Sequence, residues 1–351
     1  MIKKVILTKQ TLHFREPFKI AYEEATEDKQ LFLQLVDARG RVGFGSASFD
    51  QEVSHENADE MYKILRQKLR PDFFDQPIEQ WYYYHEKIAQ VFGSWPAAQA
   101  MIETAVLHLW SAGRNVSLWE FFGARQKQRP LCFTVGIKSL PQTLAAVKAR
   151  LKEGYKIIKL KGGLDWSQDA EKVAAVSNFL PQGVKLLFDA NQGYSFIQAQ
   201  NFLKKTKKTK LALLEQPVSA KNLAGLKKLH RSTALPIIAD EAAVSLADCQ
   251  KLLLGDYVSG VNVKLMKCGG PVNFLSIYHL AKALNKIIMI GCMYESLASL
   301  TISGQLALSL KVDYADLDSG PIDFYDDPAQ GGLAFKSGQL CLAGPVKLKL
   351  K

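Results

Sequence analysis

Apolar positions along the chain fall into two regimes. In the first third they alternate and then coil. Residues 6–14, 31–37 and 42–47 read as strands, with Ala38-Arg39-Gly40-Arg41 as a hairpin turn between the last two. Helical spacing follows over residues 56–69 and, more strongly, 96–111. In the second of these, Ala100, Ala105, Leu107 and Leu109 predict a largely buried helix, with His108 packed inside it and Gly113 and Asn115 punctuating its end. From about Leu131 the pattern changes to short apolar strands separated by amphipathic helices. Strands are predicted at 131–135, 157–161, 185–188, 211–214, 236–239, 260–263, 287–290 and, more weakly, near Tyr314. Helices are predicted at 140–152, 168–179, 196–205, 223–230, 246–253 and 271–284.

Strand-helix units recurring roughly every 25 residues predict a parallel barrel. The fold class is therefore α/β, a modified (β/α)8 TIM barrel with an N-terminal α+β capping domain. The expected divisions are a cap over residues 1–125, a barrel over 126–320, and a turn-rich segment, 321–351, that returns to the cap. A doubly wound open sheet would want a glycine-rich phosphate turn after its first strand. Gly162-Gly163 is the nearest candidate, and the full fingerprint is missing there.

Composition narrows the function more than the fold. At 351 residues and 48% hydrophobic, the chain is too apolar for disorder and long enough for a barrel with a second unit. The net charge of +11 raises nucleic acid as a partner. Its densest run, Lys204, Lys205, Lys207, Lys208 and Lys210, lacks interleaved aromatics and reads as a solvated helix end. The five scattered cysteines form no Cys-x-x-Cys and are odd in number, which favours a reducing compartment over a disulfide or zinc framework. No signal-like apolar region and no long apolar span is present, so a cytoplasmic protein without membrane or nucleic-acid partners is expected. Sequence alone is silent on a homo-oligomer.

The chemistry lies where the predicted strands end. Parallel barrels keep their reactive groups at the C-terminal edge of the strands. There the chain places Lys159 and Lys161 on the second strand, Asp189 on the third, Glu215 on the fourth, Asp240 on the fifth and Lys264 on the sixth. The carboxylates sit one strand-helix unit apart. A single acid at a strand end would be a surface ion pair. Three in register repel one another unless protonated or bound to a cation. An all-oxygen donor set favours a hard ion, and one Mg2+ per subunit is expected. Lys161 and Lys264 belong to opposite strands of an eight-stranded barrel. One amine can take a proton from a carbon while the other delivers one to its opposite face. That is a racemisation or epimerisation beside a carboxylate, through an enediolate stabilised by the metal. Lys159, a cationic neighbour, should help draw the pKa of Lys161 down toward the working pH.

At these residues the chain resembles the enolase superfamily, specifically its muconate-lactonizing-enzyme subgroup. The resemblance rests on Lys159-Leu-Lys161, Asp189-Ala-Asn191, Glu215-Gln-Pro217, Ala239-Asp240-Glu241 and the run Asn262-Val-Lys264-Leu-Met-Lys267-Cys-Gly-Gly270. It covers essentially the whole chain and implies a capped barrel whose cap loops close over the substrate. Within the subgroup the chain looks most like a dipeptide epimerase. Asp316-Leu-Asp318 matches a pair that holds the substrate's α-ammonium group, and Gly291-Cys-Met-Tyr-Glu-Ser296 supports the same assignment. The resemblance further implies substrate contacts from Thr134, Lys159, Met293, Tyr294 and Glu23. Epimerases acting on Ala-Glu carry an arginine where Glu23 stands, so a substrate ending in an acidic residue is disfavoured. Muconate-type cycloisomerases and o-succinylbenzoate synthases are the alternative; they share the lysines and the metal but have no ammonium to bind.

Overall fold

The computed structural model describes residues 1–350. Strands β1 (Ile2–Lys19), β2 (Glu24–Asp37) and β3 (Val42–Ala47) form an antiparallel sheet. Leu31, Leu33 and Leu35 of β2 are fully buried, and helices α1 (Ala58–Lys68), α2 (Trp81–Phe92), α3 (Pro96–Arg114) and α4 (Leu118–Phe121) follow. Contact between α3 and the sheet requires glycine at two positions of β3. A Cβ on Gly43 or Gly45 would lie 2.2 Å from the carbonyl oxygen of Ala105 or Met101, respectively.

Two features of this region escaped the sequence pattern. The β1–β2 ladder runs well beyond the alternating apolar residues, past a register shift between His13 and Phe18. Its far end is mostly charged, with Phe18 paired to Ala25 the apolar exception, so no hydrophobic period marks it. Backbone pairing carries it outward, Phe18 packs edge-on against Tyr294, and the turn at its tip is fastened to the barrel by Ile137 N–H donating to Lys19 O at 2.8 Å. Helix α2 is the second. Its bulky aromatics sit on exposed as well as buried positions, which blurs the period; only Tyr84, Ile88 and Phe92, spaced by one turn, face inward fully. His108 packs within the helix as expected, half-buried against Phe44. Its ring accepts no charge readily: burial lowers its pKa to about 4, and Nδ1 lies 2.7 Å from Phe44 O.

After β4 (Gln128–Pro130) come the eight parallel strands: β5 (Cys132–Val135), β6 (Ile157–Lys161), β7 (Lys185–Asp189), β8 (Leu211–Glu215), β9 (Ile237–Ala239), β10 (Gly260–Lys264), β11 (Ile287–Gly291) and β12 (Tyr314–Asp316). They are hydrogen-bonded in sequence order. β12 packs against β5, and Thr134 of β5 bonds Asp316 and Asp318 across that seam. The observed strands β7, β8, β10 and β11 each run one residue past the apolar run, to take in Asp189, Glu215, Lys264 and Gly291.

Strand alternation explains what the barrel interior contains. Cys132, Ile157, Leu187, Leu213, Ile238, Met289 and Tyr314 form a separate apolar cluster that plugs the lower interior. Two residues further along each strand the side chain points inward again. Those positions are Thr134, Lys159, Asp189, Glu215, Asp240, Gly291 and Asp316. An apolar floor thus lies under a polar layer.

The Gly162-Gly163 pair closes the turn after β6 rather than cradling a phosphate. Gly163 takes φ +109°, and the position of a Cβ there lies 2.2 Å from Ala190 O. The tail splits its contacts. Phe324 bridges Phe14 of β1, and Arg15 N–H donates to Asp323 O at 2.7 Å. Further on, residues 333–342 form a hairpin that joins β4 beside the barrel. Among the described residues no helix is long and apolar enough to cross a membrane.

Candidate active site

Asp189, Glu215 and Asp240 come together at the ends of neighbouring strands. One oxygen from each lies within 4.8 Å of the others. All three are buried. Burial, then repulsion from Asp189, pushes the Glu215 carboxyl up to about 8. Asp240 is held well below the usual range despite its burial, because Lys264 and Lys267 adjoin it. Hard oxygen donors so close, one of them resisting ionisation, suit a small divalent cation, and Mg2+ fits them.

The lysines flank this triad. Lys161 Nζ donates to Asp189 Oδ2 at 2.6 Å, and Lys264 Nζ lies 3.0 Å from Asp240 Oδ2. β6 and β10 stand four strands apart in a ring of eight, so the two amines face each other across the barrel mouth. Burial opposes the charge on Lys264, yet Asp240 and other nearby acids hold its pKa well above the ordinary lysine value.

Lys159 lies deeper than Lys161. Its Nζ contacts Asp316 and reaches Glu215 at 3.4 Å and Asp189 at 3.8 Å. Burial would strip its proton, but these acids together keep its pKa well above the ordinary value. Asp316 is thus already engaged, by Lys159 and by Thr134 Oγ1 at 3.3 Å. Asp318 accepts from Thr134 and forms no ion pair among the described residues, and burial, then Asp316, pushes its carboxyl up to about 7. Of the two acids, Asp318 is the one that lacks a cation.

Thr134, Lys159, Lys161, Lys264, Asp316 and Asp318 all line a cavity of about 460 Å³ between barrel rim and cap. Met293 and Tyr294 line it from the loop after β11, and Glu23 from the β1–β2 turn. Lys264 Nζ sits 3.7 Å from Met293 Sδ. Gln30 of β2 ties the rim loop to the cap: its Nε2 donates to Tyr294 O, and its Oε1 accepts from Ser296 N at 3.0 Å.

Several residues of the site stood in the quoted motifs without a role assigned to them. Asn262 Nδ2 donates to Glu215 Oε1 at 2.7 Å. It stands two residues before Lys264, and strand alternation could have placed it inward. Lys267 Nζ contacts the Asp240 carboxylate and Asn262 O. Asn191 donates to Glu241 Oε1 at 3.1 Å, and its own backbone N–H donates to Asp189 Oδ1 at 2.8 Å. Asn191 and Gln216, just past two strand ends, adopt φ of 41° and 32°, where few side chains sit without strain. Gln216 then receives the backbone N–H groups of Asp240 and Ala242. Asp28 and Asp50 also line the cavity, from the cap, and nothing in the local sequence marks them.

With this geometry in place, the chain's kinship is direct. Residues 142–344 match the model of the enolase C-terminal domain-like family, and the chain belongs to that family. An L-amino acid-D/L-Glu epimerase of Sulfurimonas denitrificans is 30% identical over 93% of this chain and 95% of its own length. An L-Lys-D/L-Arg epimerase of Desulforapulum autotrophicum is 29% identical over 96% of this chain and 95% of its own. The crystal structure of a dipeptide epimerase from Enterococcus faecalis, complexed with Mg and L-Leu-L-Tyr, superposes with a TM-score of 0.90 at 26% identity, covering 97% of each chain. These relatives are isomerases, and the chain is placed among them. Their named substrates differ in charge, so kinship leaves the side chain of the substrate open.

Proposed function

We propose that this protein is a Mg2+-dependent epimerase that inverts the α-carbon of the C-terminal residue of a dipeptide. The observation that carries this reading is the pair Lys161 and Lys264, on opposed strands, flanking the triad Asp189, Glu215 and Asp240. Mg2+ bound by the three acids would take up negative charge that builds on the substrate carboxylate as the α-proton leaves.

The chain's own residues do the rest. Asp318, lacking a cation, supports binding of the substrate's α-ammonium group at the β5–β12 seam, with Thr134 beside it. That fixes the dipeptide with its α-carbon between the two amines. A neutral Lys161 Nζ takes the proton from one face: the C–H bond breaks and an N–H bond forms. The Lys264 ammonium gives its proton to the other face, and the carbon is inverted. The reverse direction exchanges the two roles. Lys159 contributes fixed positive charge beneath the carboxylate rather than a proton, since its acids hold it charged. Residues 1–125 serve as a cap and 126–320 as the catalytic unit, with 321–351 reaching back to the cap at its start and lying beside the barrel further on. The chain's free cysteines favour a reducing, cytoplasmic setting.

The test is α-deuterium incorporation followed by NMR. Lys161→Ala and Lys264→Ala should each abolish epimerisation in both directions. Each variant should still exchange, slowly, the one isomer whose α-hydrogen faces the remaining lysine. Full epimerisation by either variant would sink the two-base reading.

A further inference from the structure

The cap side of the cavity carries more negative charge than its surroundings neutralise. Glu23, Asp28 and Asp50 all line it. The lysines on the same walls are committed elsewhere. Lys29 pairs with Asp59, Lys159 with Asp316, Lys161 with Asp189 and Lys264 with Asp240. Among the described residues no Lys or Arg forms an ion pair with Glu23, Asp28 or Asp50. Burial, reinforced by Glu23 and Asp50, pushes the Asp28 carboxyl up to about 7. Burial and Asp50 raise Glu23 as well. Ser48 Oγ donates to Asp28 Oδ2 at 3.0 Å, and a cationic ligand would meet the charge that these lining acids leave without an ion pair.

The remaining lining suits the stem of such a cation. Phe18, Tyr22, Phe49 and Tyr294 border the same acids. Phe18 and Tyr294 meet edge to face at 5.8 Å between ring centres. Aromatic faces accommodate methylenes and attract ammonium or guanidinium groups. The Tyr294 hydroxyl bonds Glu23 on the same wall and works against the burial that raises that carboxyl's pKa. The patch also borders the reacting centre: Tyr294 adjoins Met293, whose Sδ lies 3.7 Å from Lys264 Nζ, and Tyr22 and Lys264 line the same cavity. A side chain leaving the carbon between the two lysines enters here first.

Resting on the dipeptide-epimerase reading, we propose that this patch is a side-chain pocket selecting a lysine- or arginine-like residue at the carbon being inverted. Glu23 and Asp28 receive the cationic head, Asp50 adds to the field, and the aromatic rings flank the stem. A glutamate side chain would meet like charge at Glu23, Asp28 and Asp50.

The experiment compares α-deuterium exchange of L-Ala-L-Lys, L-Ala-L-Nε-acetyllysine, L-Ala-L-Glu and the reversed L-Lys-L-Ala, with the Mg2+-loaded full chain. The lysine C-terminal dipeptide should exceed its acetylated counterpart in kcat/KM by at least tenfold, and L-Ala-L-Glu by more. Asp28→Asn and Glu23→Gln should each shrink the ratio of lysine to acetyllysine severalfold, mainly through KM. Glu23 lies on an exposed turn, so its variant keeps the test intact if Asp28→Asn folds poorly. Equal rates for charged and acetylated lysine, or a preference for lysine only at the N-terminal position, would overturn the pocket while leaving the epimerase reading in place. Exchange with no dipeptide of any charge would overturn both.

Discussion

Asn262 carries no charge and sits in an apolar strand, yet it gives Glu215 its only amide donor at 2.7 Å. Fixing that carboxylate fixes one of three oxygens offered to the metal. Asn262→Ala should weaken Mg2+ binding about 10- to 100-fold, the usual cost of removing a partner behind a ligand. Titrating Mg2+ into wild type and variant by calorimetry checks this, and equal affinities would show that Glu215 holds its place unaided. Lys159 shows the opposite relation between sequence and site. Its charge was legible as a neighbour of Lys161, but the structure gives it to Asp316, Glu215 and Asp189. Only the closure of the barrel, which brings β12 beside β5, makes Asp316 available to it.

Among the elements, the barrel strands were the most legible, because apolar runs ending in a charge have one use in a parallel barrel. The cap was less so. Its outer ladder and α2 carry no clean period, and their roles emerge from contacts distant in sequence. His85 of α2 meets Glu103 of α3 at 2.5 Å, while Glu103 Oε1 accepts from Val272 N at 2.8 Å. That chain of contacts ties two cap helices to the Gly269-Gly270 turn behind Lys267. The Glu103 partner raises the pKa of His85, with burial opposing. A raised histidine stabilises fully below its unfolded value of about 6.5 and loses that stability as pH climbs through the folded value. Melting temperature should therefore fall as pH rises from about 6.5, and His85→Gln, costing about 1–3 kcal/mol at low pH, should flatten that part of the profile. Scanning calorimetry of both proteins across this range decides it; parallel profiles would remove His85 as the cause.

At the scale of the whole molecule, the barrel mouth is a concentration of like charge that the lysines only partly offset. A ligand that binds the folded state alone stabilises it by mass action, about 2.7 kcal/mol at a hundredfold excess over Kd. Mg2+ should accordingly raise the melting temperature by several degrees over protein in EDTA. Chelation should also abolish turnover, and added Mg2+ should restore it. A melting curve indifferent to the ion, or full activity after stripping, would contradict the metal's place between Asp189, Glu215 and Asp240. The same comparison on Asp189→Asn should show a smaller shift.

What the sequence determined by itself was periodicity and order. Alternating strands and helices define the barrel, and charged residues at the ends of β6, β7, β8, β10 and β12 define its reactive rim, because inward positions recur every second residue. Family kinship could be read from the same motifs. Tertiary structure alone decided which acid each lysine neutralises, since Lys159 and Asp316 lie on strands far apart in the chain. It also decided where charge is left unmet. Glu23 was visible as an acid in a loop, but its convergence with Asp28 and Asp50 depends on the β1–β2 hairpin folding over the barrel. No local pattern encodes that approach, because it is held by backbone pairing and by contacts made only after the barrel has closed.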